Sequence, residues 1–333
     1  MKLTSLSAIK NQRLAQTIII KYGVVITTLI LFIIFSFVSP SFITIKNIFN
    51  LINNVAITGI LALGLTAVLI VGEYDISFAA NATICSIISI ALLRLNVPLV
   101  PTWLIVVFTG LFIGFVNSLS IIYIGVPSFV STVGMMSIIL GLANTISKGA
   151  VISSPRFPPG FTVLGRQIFW GVVPSSVIWF AIITILMIYL LEYTVIGREM
   201  YAVGGNKEAA IRVGINVKRI KLLAFIIIGF LSGVCGAIIG SRYGAGNPRI
   251  ETSFQFPSIV AAFMGAVSLR EGLPNPTGTV TAVLLISVIQ NGLVLIGAPL
   301  FIKEMTLGIL MLFSVTVVAS MKNGNISSVA MNF

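Results

Sequence analysis

The residues whose types and spacing best suggest chemistry form one polar stretch, residues 204–219, in a chain that is otherwise mostly apolar. We call this stretch the polar island. Asn206 is a favoured helix N-cap, Glu208 falls in the first turn, where the helix dipole favours an anion, and Gly214 suits a left-handed stop. Arg212 follows Glu208 by four residues, the spacing of a helical ion pair. The spacing therefore predicts one short helix of about two turns.

The chemistry of such a helix is docking. A helix this short is marginal by itself in water. Its face of Ala209, Ala210 and Val213 is small enough for another surface to approach closely. We expect a partner to bind there; the alternative is an ordinary solvated loop helix between two membrane spans.

A second polar segment, residues 72–77, has the sequence Gly-Glu-Tyr-Asp-Ile-Ser. Glu73 and Asp75 are carboxylates at the edge of an apolar run, Tyr74 offers a ring that could stack on a sugar, and Ser77 adds a hydroxyl. This segment is a candidate for the translocation path. The alternative is a pair of wetted loop carboxylates, because acids deep in a membrane are costly.

Further candidates for the path are uncharged polar groups within or beside apolar runs. A neutral polyol or sugar needs donors and acceptors without net charge, which these side chains could supply as a set. For each amide, a hydrogen bond between helices is the favoured alternative. The residues are Asn81, Asn117, Ser268, Gln290 and Asn291.

The composition indicates the elements that must position these residues. The chain has 333 residues, of which 57% are hydrophobic and 8% are charged, it has no histidine, and its mean hydropathy is +1.12. These values predict an all-α integral membrane protein, a polytopic helical bundle with about ten transmembrane helices and a weak internal repeat. The expected spans are 22–38, 51–71, 76–93, 99–123, 126–145, 172–192, 222–241, 254–269, 278–297 and 302–320.

Ten crossings would place both termini on one side of the membrane. Twelve Lys and Arg residues then fall on that side and eight on the other, with six of the twelve in residues 198–221. The positive-inside rule therefore predicts cytoplasmic termini. The expected organisation is a cytoplasmic segment (1–21), a single transmembrane domain (22–320) with an external loop (146–171) and a cytoplasmic loop (193–221), and a cytoplasmic tail (321–333).

Several function classes are disfavoured by the residues present. The formal charge of +12 is scattered between spans, so orientation and contact with the lipid bilayer explain it better than nucleic acid. Cys85 and Cys235 lie in apolar spans and are expected to be packing residues, with no metal site. There is no Gly-x-x-x-x-Gly-Lys-Ser/Thr motif and no acidic Mg²⁺ cluster, so we expect no catalytic site and no cofactor bound by this chain.

The island resembles a known pattern. Glu-Ala-Ala, three residues and then Gly, at positions 208–214, is similar to the cytoplasmic coupling loop of permease subunits in bacterial ABC importers. The flanking Ala-Val-Gly-Gly-Asn narrows the likeness to the ribose-type sugar permeases. The resemblance implies an inner-membrane permease whose ATP and Mg²⁺ are held by a separate ATP-binding subunit. That subunit would contact Gly205, Asn206, Glu208, Ala209, Ala210, Arg212 and Gly214.

The segment 72–77 also resembles that family, whose signature is Gly-Gly-Ile-Asp-Leu-Ser; Glu73 and Tyr74 depart from it. We take residues 265–270, Gly-Ala-Val-Ser-Leu-Arg, as the internal counterpart of this segment. The resemblance further implies a solute-binding protein that delivers a sugar or sugar-like solute, and a second permease, either another copy or a non-identical chain. The main alternative is an ion- or proton-coupled secondary transporter; a membrane-embedded enzyme is the third interpretation.

Overall fold

The computed structural model describes residues 22–322, except 155, 172 and 271. Helices dominate it, and the four strands have two residues each. The helices are α1 (Tyr22–Val38), α2 (Ile45–Ile70), α3 (Phe78–Arg94), α4 (Leu99–Leu119), α5 (Ser128–Ser147), α6 (Ser175–Ile188), α7 (Val195–Gly205), α8 (Lys207–Arg212), α9 (Val217–Tyr243), α10 (Glu251–Val267), α11 (Pro276–Leu295) and α12 (Leu300–Lys322). The strands are β1 (Ile152–Ser153), β2 (Ile168–Phe169), β3 (Val173–Pro174) and β4 (Ala245–Gly246).

Each apolar run predicted to span the membrane lies on a helix, so the all-α polytopic fold is confirmed. Among the described residues, seven helices are long and apolar enough to cross a membrane, when α4 and α6 are counted with the π-helical turns Ser120–Ile124 and Tyr189–Tyr193 that continue them. Helices α1 and α3 are shorter apolar helices, and α10 has 17 residues. Ten crossings therefore remain a prediction.

The chain divides into two compact units. Among the described residues, unit 1 comprises 22–51 and 259–322, and unit 2 comprises 52–258. Unit 2 holds the polar island and the segment 72–77, so its packing determines the geometry of both.

Helix α3 lies at the centre of unit 2. Its sequence is rich in Ala, Ser and Ile, and 13 of its 17 residues are buried. It packs against α4, α5 and α9. Cys85 is a free, buried residue of this core, and Cys235 is likewise free and buried, which confirms their prediction as packing residues.

Glycines allow the helices of unit 2 to approach closely. A Cβ atom added at Gly110 of α4 would lie 2.5 Å from the Gly229 carbonyl oxygen of α9, and one at Gly229 would lie 2.6 Å from the Gly110 oxygen. About two turns further along α9, a Cβ at Gly236 would lie 2.7 Å from the Ala82 oxygen of α3. Small residues thus bring these backbones into contact, as is common between membrane helices.

Connections that are distant in sequence meet at two ends of unit 2. At one, which we call the island end, Lys218 lies over the Tyr123 ring and Tyr74 bonds to Ser128. At the other, the far end, β1 pairs with β4, and the Gly165 amide donates to Ser241 Oγ at 3.0 Å. The second pair of strands, β2 and β3, forms a hairpin immediately before α6.

Unit 1 is held by aromatic and amide contacts. Phe32 and Phe35 both pack on Phe42, and Phe35 faces Gly292 of α11. The connection from α10 to α11 is tied together by Asn275, whose side chain accepts from the Gly278 amide at 2.6 Å as an N-cap.

Candidate functional site

The polar island forms the short helix that its spacing predicts. Helix α8 has six residues, and the Asn206 side chain accepts a hydrogen bond from the Ala209 amide at 3.0 Å. Gly214 has a φ of +86°, the left-handed conformation expected at the helix stop. The N-cap and the stop are therefore both confirmed.

One side of α8 is exposed and the other packs against the rest of the chain. Ala209, Ala210 and Val213 were predicted to form an exposed small face, which is wrong for Ala210, because this residue is only 3% exposed. Ala209 is exposed, and Ile211 and Val213 add apolar side chains, Val213 being 75% exposed. Gly205, Asn206, Glu208, Arg212 and Gly214 are also exposed.

Helix α7, which ends within the first two residues of the island, is not foreseen from the sequence, although Thr194 caps it by accepting from the Gly197 amide. Near its end, Gly204 meets the backbone of α2: a Cβ atom there would collide with the Ile70 carbonyl oxygen. Only glycine can make this approach, so α7 and the end of α2 are packed backbone to backbone.

Glu73 forms an ion pair with Lys221 of α9. The two side chains are 13% and 17% exposed, so the pair is largely shielded from water. Neither interpretation of Glu73, as a path residue or as a wetted carboxylate, foresaw this partner. The residues lie 148 positions apart, so sequence spacing carries no signal for their pairing.

Asp75 is buried in the connection between α2 and α3. Its Oδ1 accepts from the amide and the hydroxyl of Ser77, both at 2.7 Å. Burial raises its pKa to about 6, against the hydrogen bonds from Ser77, which lower it. Asn117 of α4 donates to Ser77 Oγ at 2.8 Å, so a buried chain of polar groups runs from Asp75 to α4.

The backbone of the segment 72–77 depends on side chains that the sequence analysis did not single out. The Tyr74 amide donates to Ser128 Oγ and the Ile76 amide to Thr132 Oγ1, both at 3.1 Å. Gln255 of α10 donates to the Ile76 carbonyl oxygen at 3.4 Å. Of the candidate residues in this segment, Tyr74 is the one with a substantially exposed side chain, at 44%.

The remaining candidates do not gather with this segment into a described site. Asn81 donates to the Gly110 carbonyl oxygen at 3.1 Å and so joins α3 to α4. In unit 1, Asn291 exchanges hydrogen bonds with Asn47 at 2.8 and 2.9 Å. Gln290 Nε2 is buried without a hydrogen-bond partner among the described residues, and Ser268 is buried and accepts from Thr281. Asn81 and Asn291 thus make packing contacts, the alternative favoured for them.

Comparison with known proteins gives the class of the molecule. Residues 47–315 match the family described as branched-chain amino acid transport system / permease component. The chain belongs to this permease family. This agrees with the likeness found in the island and in the segment 72–77.

Individual relatives match the permease over most of their length. The permease is 32% identical to the ribose import permease protein RbsC of Bacillus subtilis (strain 168) over 295 residues, which are 89% of this chain and 91% of the relative. It is also 32% identical to the L-arabinose ABC transporter permease protein AraH of Azospirillum brasilense, over 88% of this chain and 86% of the relative. No solved structure matches the chain.

The internal counterpart of the segment 72–77 is not the one expected. Gly265 lies inside α10, whereas Gly72 follows α2 in a left-handed conformation with a φ of +78°. In the connection that follows α10, Gly272 has a left-handed conformation like that of Gly72, with a φ of +79°. Three residues later the permease has buried polar side chains in both places, Asp75 and Asn275. Gly72 and Gly265 therefore differ in conformation, and the internal repeat itself stays a prediction.

Proposed function

We propose that this permease is the transmembrane subunit of an ABC importer for a neutral sugar, powered by a separate ATPase subunit that docks on the polar island. The exposed, capped helix α8 at the island end of unit 2 carries the proposal. Capping at both ends fixes a helix that would be marginal alone. Exposed Ile211 and Val213 add an apolar contact that a partner would cover.

The substrate class follows from the names of the relatives and from the polar groups of the permease. The relatives include permeases named for ribose, L-arabinose and xylose. A zwitterionic amino acid would require a free charge of each sign, whereas Glu73 and Lys221 are paired with each other. Amides and hydroxyls suit a neutral pentose, delivered by a solute-binding protein at the far end.

Ten crossings with cytoplasmic termini fit the contacts within unit 2. Six helices each run between the segments that meet at the island end and the segments that meet at the far end. They are α2, α3, α4, α5, α6 and α9. The Lys and Arg residues of unit 2 divide six and six between its ends, so the charge bias comes from the rest of the chain. A second permease, identical or not, would complete the path.

Uptake measurements test the proposal. The permease would be reconstituted with the ATPase subunit and the solute-binding protein of the same importer, and offered labelled D-ribose, L-arabinose, D-xylose and L-leucine. We expect ATP-dependent uptake of a pentose. Uptake of leucine alone would contradict the substrate class, and uptake driven by a proton gradient without ATP would contradict the importer class.

The docking assignment has its own variant. Gly214→Pro combined with Glu208→Arg should reduce uptake by about tenfold or more, because proline cannot adopt the φ of +86° at the stop of α8. Gly149→Pro is the matched control, since Gly149 has a φ of +72° and open space around it but lies at the end of α5. Uptake that falls equally in the control, or remains unchanged in the double variant, would count against docking at the island.

A proton-coupled secondary transporter is the second candidate, and one observation favours it. Asp75 is a buried carboxyl whose pKa lies near 6, so it could exchange a proton near neutral pH. Such coupling would be abolished in Asp75→Asn. An ATP-driven importer should retain uptake in that variant.

A further inference from the structure

The ion pair between Glu73 and Lys221 joins the island to the segment 72–77. Lys221 lies in the second turn of α9, two residues beyond the end of the island. Both side chains are mostly buried, so salt and water screen their attraction less than that of a surface pair. The pair therefore fixes the position of the segment relative to the start of α9.

The other flank of the island reaches the same place. Gly204, at the end of α7, packs against the Ile70 carbonyl group, and a Cβ atom on Gly72 would lie 3.8 Å from the Gly204 Cα. The connector that carries α8 is thus fastened on both sides within a few residues of Gly72. A displacement of α8 would reach this segment through either flank.

The segment 72–77 passes such a displacement to three helices. Ser128 and Thr132 on α5 accept from its amides, Asn117 on α4 donates to its serine, and Gln255 on α10 donates to one of its carbonyl groups. All four bonds use side chains from outside the segment. Movement of the segment would disturb all three helices together.

We propose that Glu73 and Lys221 are positioning residues that transmit movement of the polar island to the segment 72–77, and through it to α4, α5 and α10. The proposal rests on the proposed function in one respect, that a partner moves the island. It deepens that function by naming the link between the docking surface and the interior of unit 2. Contiguous packed side chains of this kind can carry coupling between sites.

Hydrogen–deuterium exchange of the full-length permease tests the link without knowledge of the substrate. Exchange would be measured in complex with the ATPase subunit of the same importer, before and after trapping with ADP and vanadate. In the unmodified permease, we expect trapping to change exchange in peptides covering both the island and residues 72–77, by about fivefold or more.

Two double variants separate coupling from folding. Glu73→Gln with Lys221→Met removes both charges, which is close to neutral for stability, whereas removing one would leave an unpaired buried charge. Glu73→Lys with Lys221→Glu keeps the same composition and net charge. We expect the uncharged pair to keep the response of the island and lose that of residues 72–77, with pentose uptake falling about tenfold while ATP hydrolysis continues. The exchanged pair should restore both.

The thermal unfolding temperature in detergent separates the two roles, because loss of a purely structural ion pair would lower it, whereas loss of coupling alone would not. An uncharged pair that unfolds at the normal temperature, yet keeps the full response of residues 72–77, would overturn the inference. If the variant without the two charges does not fold, the variant with the exchanged charges gives the answer. Loss of the exchange response of residues 72–77 in that variant would also overturn the inference. An island that shows no protection in the unmodified permease would overturn docking itself and this inference with it.

Discussion

The connection from α2 to α3 and the connection from α10 to α11 share a backbone plan but carry different side chains. Each has a glycine in the left-handed conformation, Gly72 with a φ of +78° and Gly272 with a φ of +79°. Each has a buried polar residue three positions later, Asp75 in one and Asn275 in the other. Both side chains accept hydrogen bonds from residues that begin the next helix.

The difference lies in what the two side chains can donate. An ionised carboxylate only accepts, whereas an amide also donates two protons. Asn275 Nδ2 lies 3.0 Å from the carbonyl oxygens of Gly265, Ser268 and Leu273, so this connection satisfies its own backbone. The connection of Asp75 has no such donor and takes its partners from α4, α5 and α10.

The comparison teaches that the Asn275 amide ties one connection to carbonyl groups of its own stretch of chain, residues 265–273, whereas the other connection is bonded by side chains of three separate helices. Local bonds of this kind help a connection to keep its shape when nearby helices move, so we expect Asn275 to act as an anchor. A connection bonded to three helices changes when any of them shifts, which suits a segment that transmits motion. Two exchanges of residue type between the connections, and one glycine substitution made in each, test this contrast.

The largest effect is expected for Asn275→Asp. The carboxylate would lose both donors and face three carbonyl oxygens, so we expect a loss of about 3–5 kcal/mol in the free energy of unfolding. Thermal unfolding in detergent measures it. Asn291→Asp is the matched control, because Asn47 Nδ2 can still donate to the new carboxylate. Equal losses in the two variants would contradict the role of Asn275 as an anchor.

Asp75→Asn should stabilise the permease rather than destabilise it, by an amount that grows as the pH rises. Because the pKa is raised from 3.8 to about 6 in the folded protein, the native permease binds the proton more tightly than the unfolded chain. Its stability is then greatest below pH 3.8 and falls as the pH rises to about 6, by about 3 kcal/mol in total.

The asparagine variant should lack this loss, because its amide oxygen can still accept from Ser77 and carries no charge. Unfolding temperatures of both proteins between pH 4.5 and 7.5 would show it. Parallel pH profiles for the two proteins would rule out burial of the Asp75 charge as the cause of the change in stability with pH.

The smallest effect tests what the two connections share. Gly72→Ala and Gly272→Ala should each cost about 1–2 kcal/mol, because both glycines have positive φ. Gly134→Ala is the control, since Gly134 lies within α5 with open space around it, and alanine favours a helix there. Markedly unequal losses of stability at positions 72 and 272 would show that the two connections do not depend equally on their left-handed glycine.

Much of this geometry could be predicted from the sequence where the cause is local. The N-cap at Asn206 and the left-handed stop at Gly214 depend on residues within one helix turn, and both were predicted. The burial of Ala210 was not, because it depends on the other parts of the chain against which α8 rests. Likewise, the pairing of Gly72 with Gly265 rested on residue types alone, whereas the left-handed glycine of the second connection is Gly272.

The sequence by itself determined that this chain forms apolar helices separated by short polar connections, because lipid solubility and helix capping are properties of neighbouring residues. Only the tertiary structure decided that Glu73 pairs with Lys221 and that Asp75 depends on α4 and α5 through Ser77 and its neighbours. These contacts join residues tens to more than a hundred positions apart, so they form only when helix packing brings distant parts of the chain together.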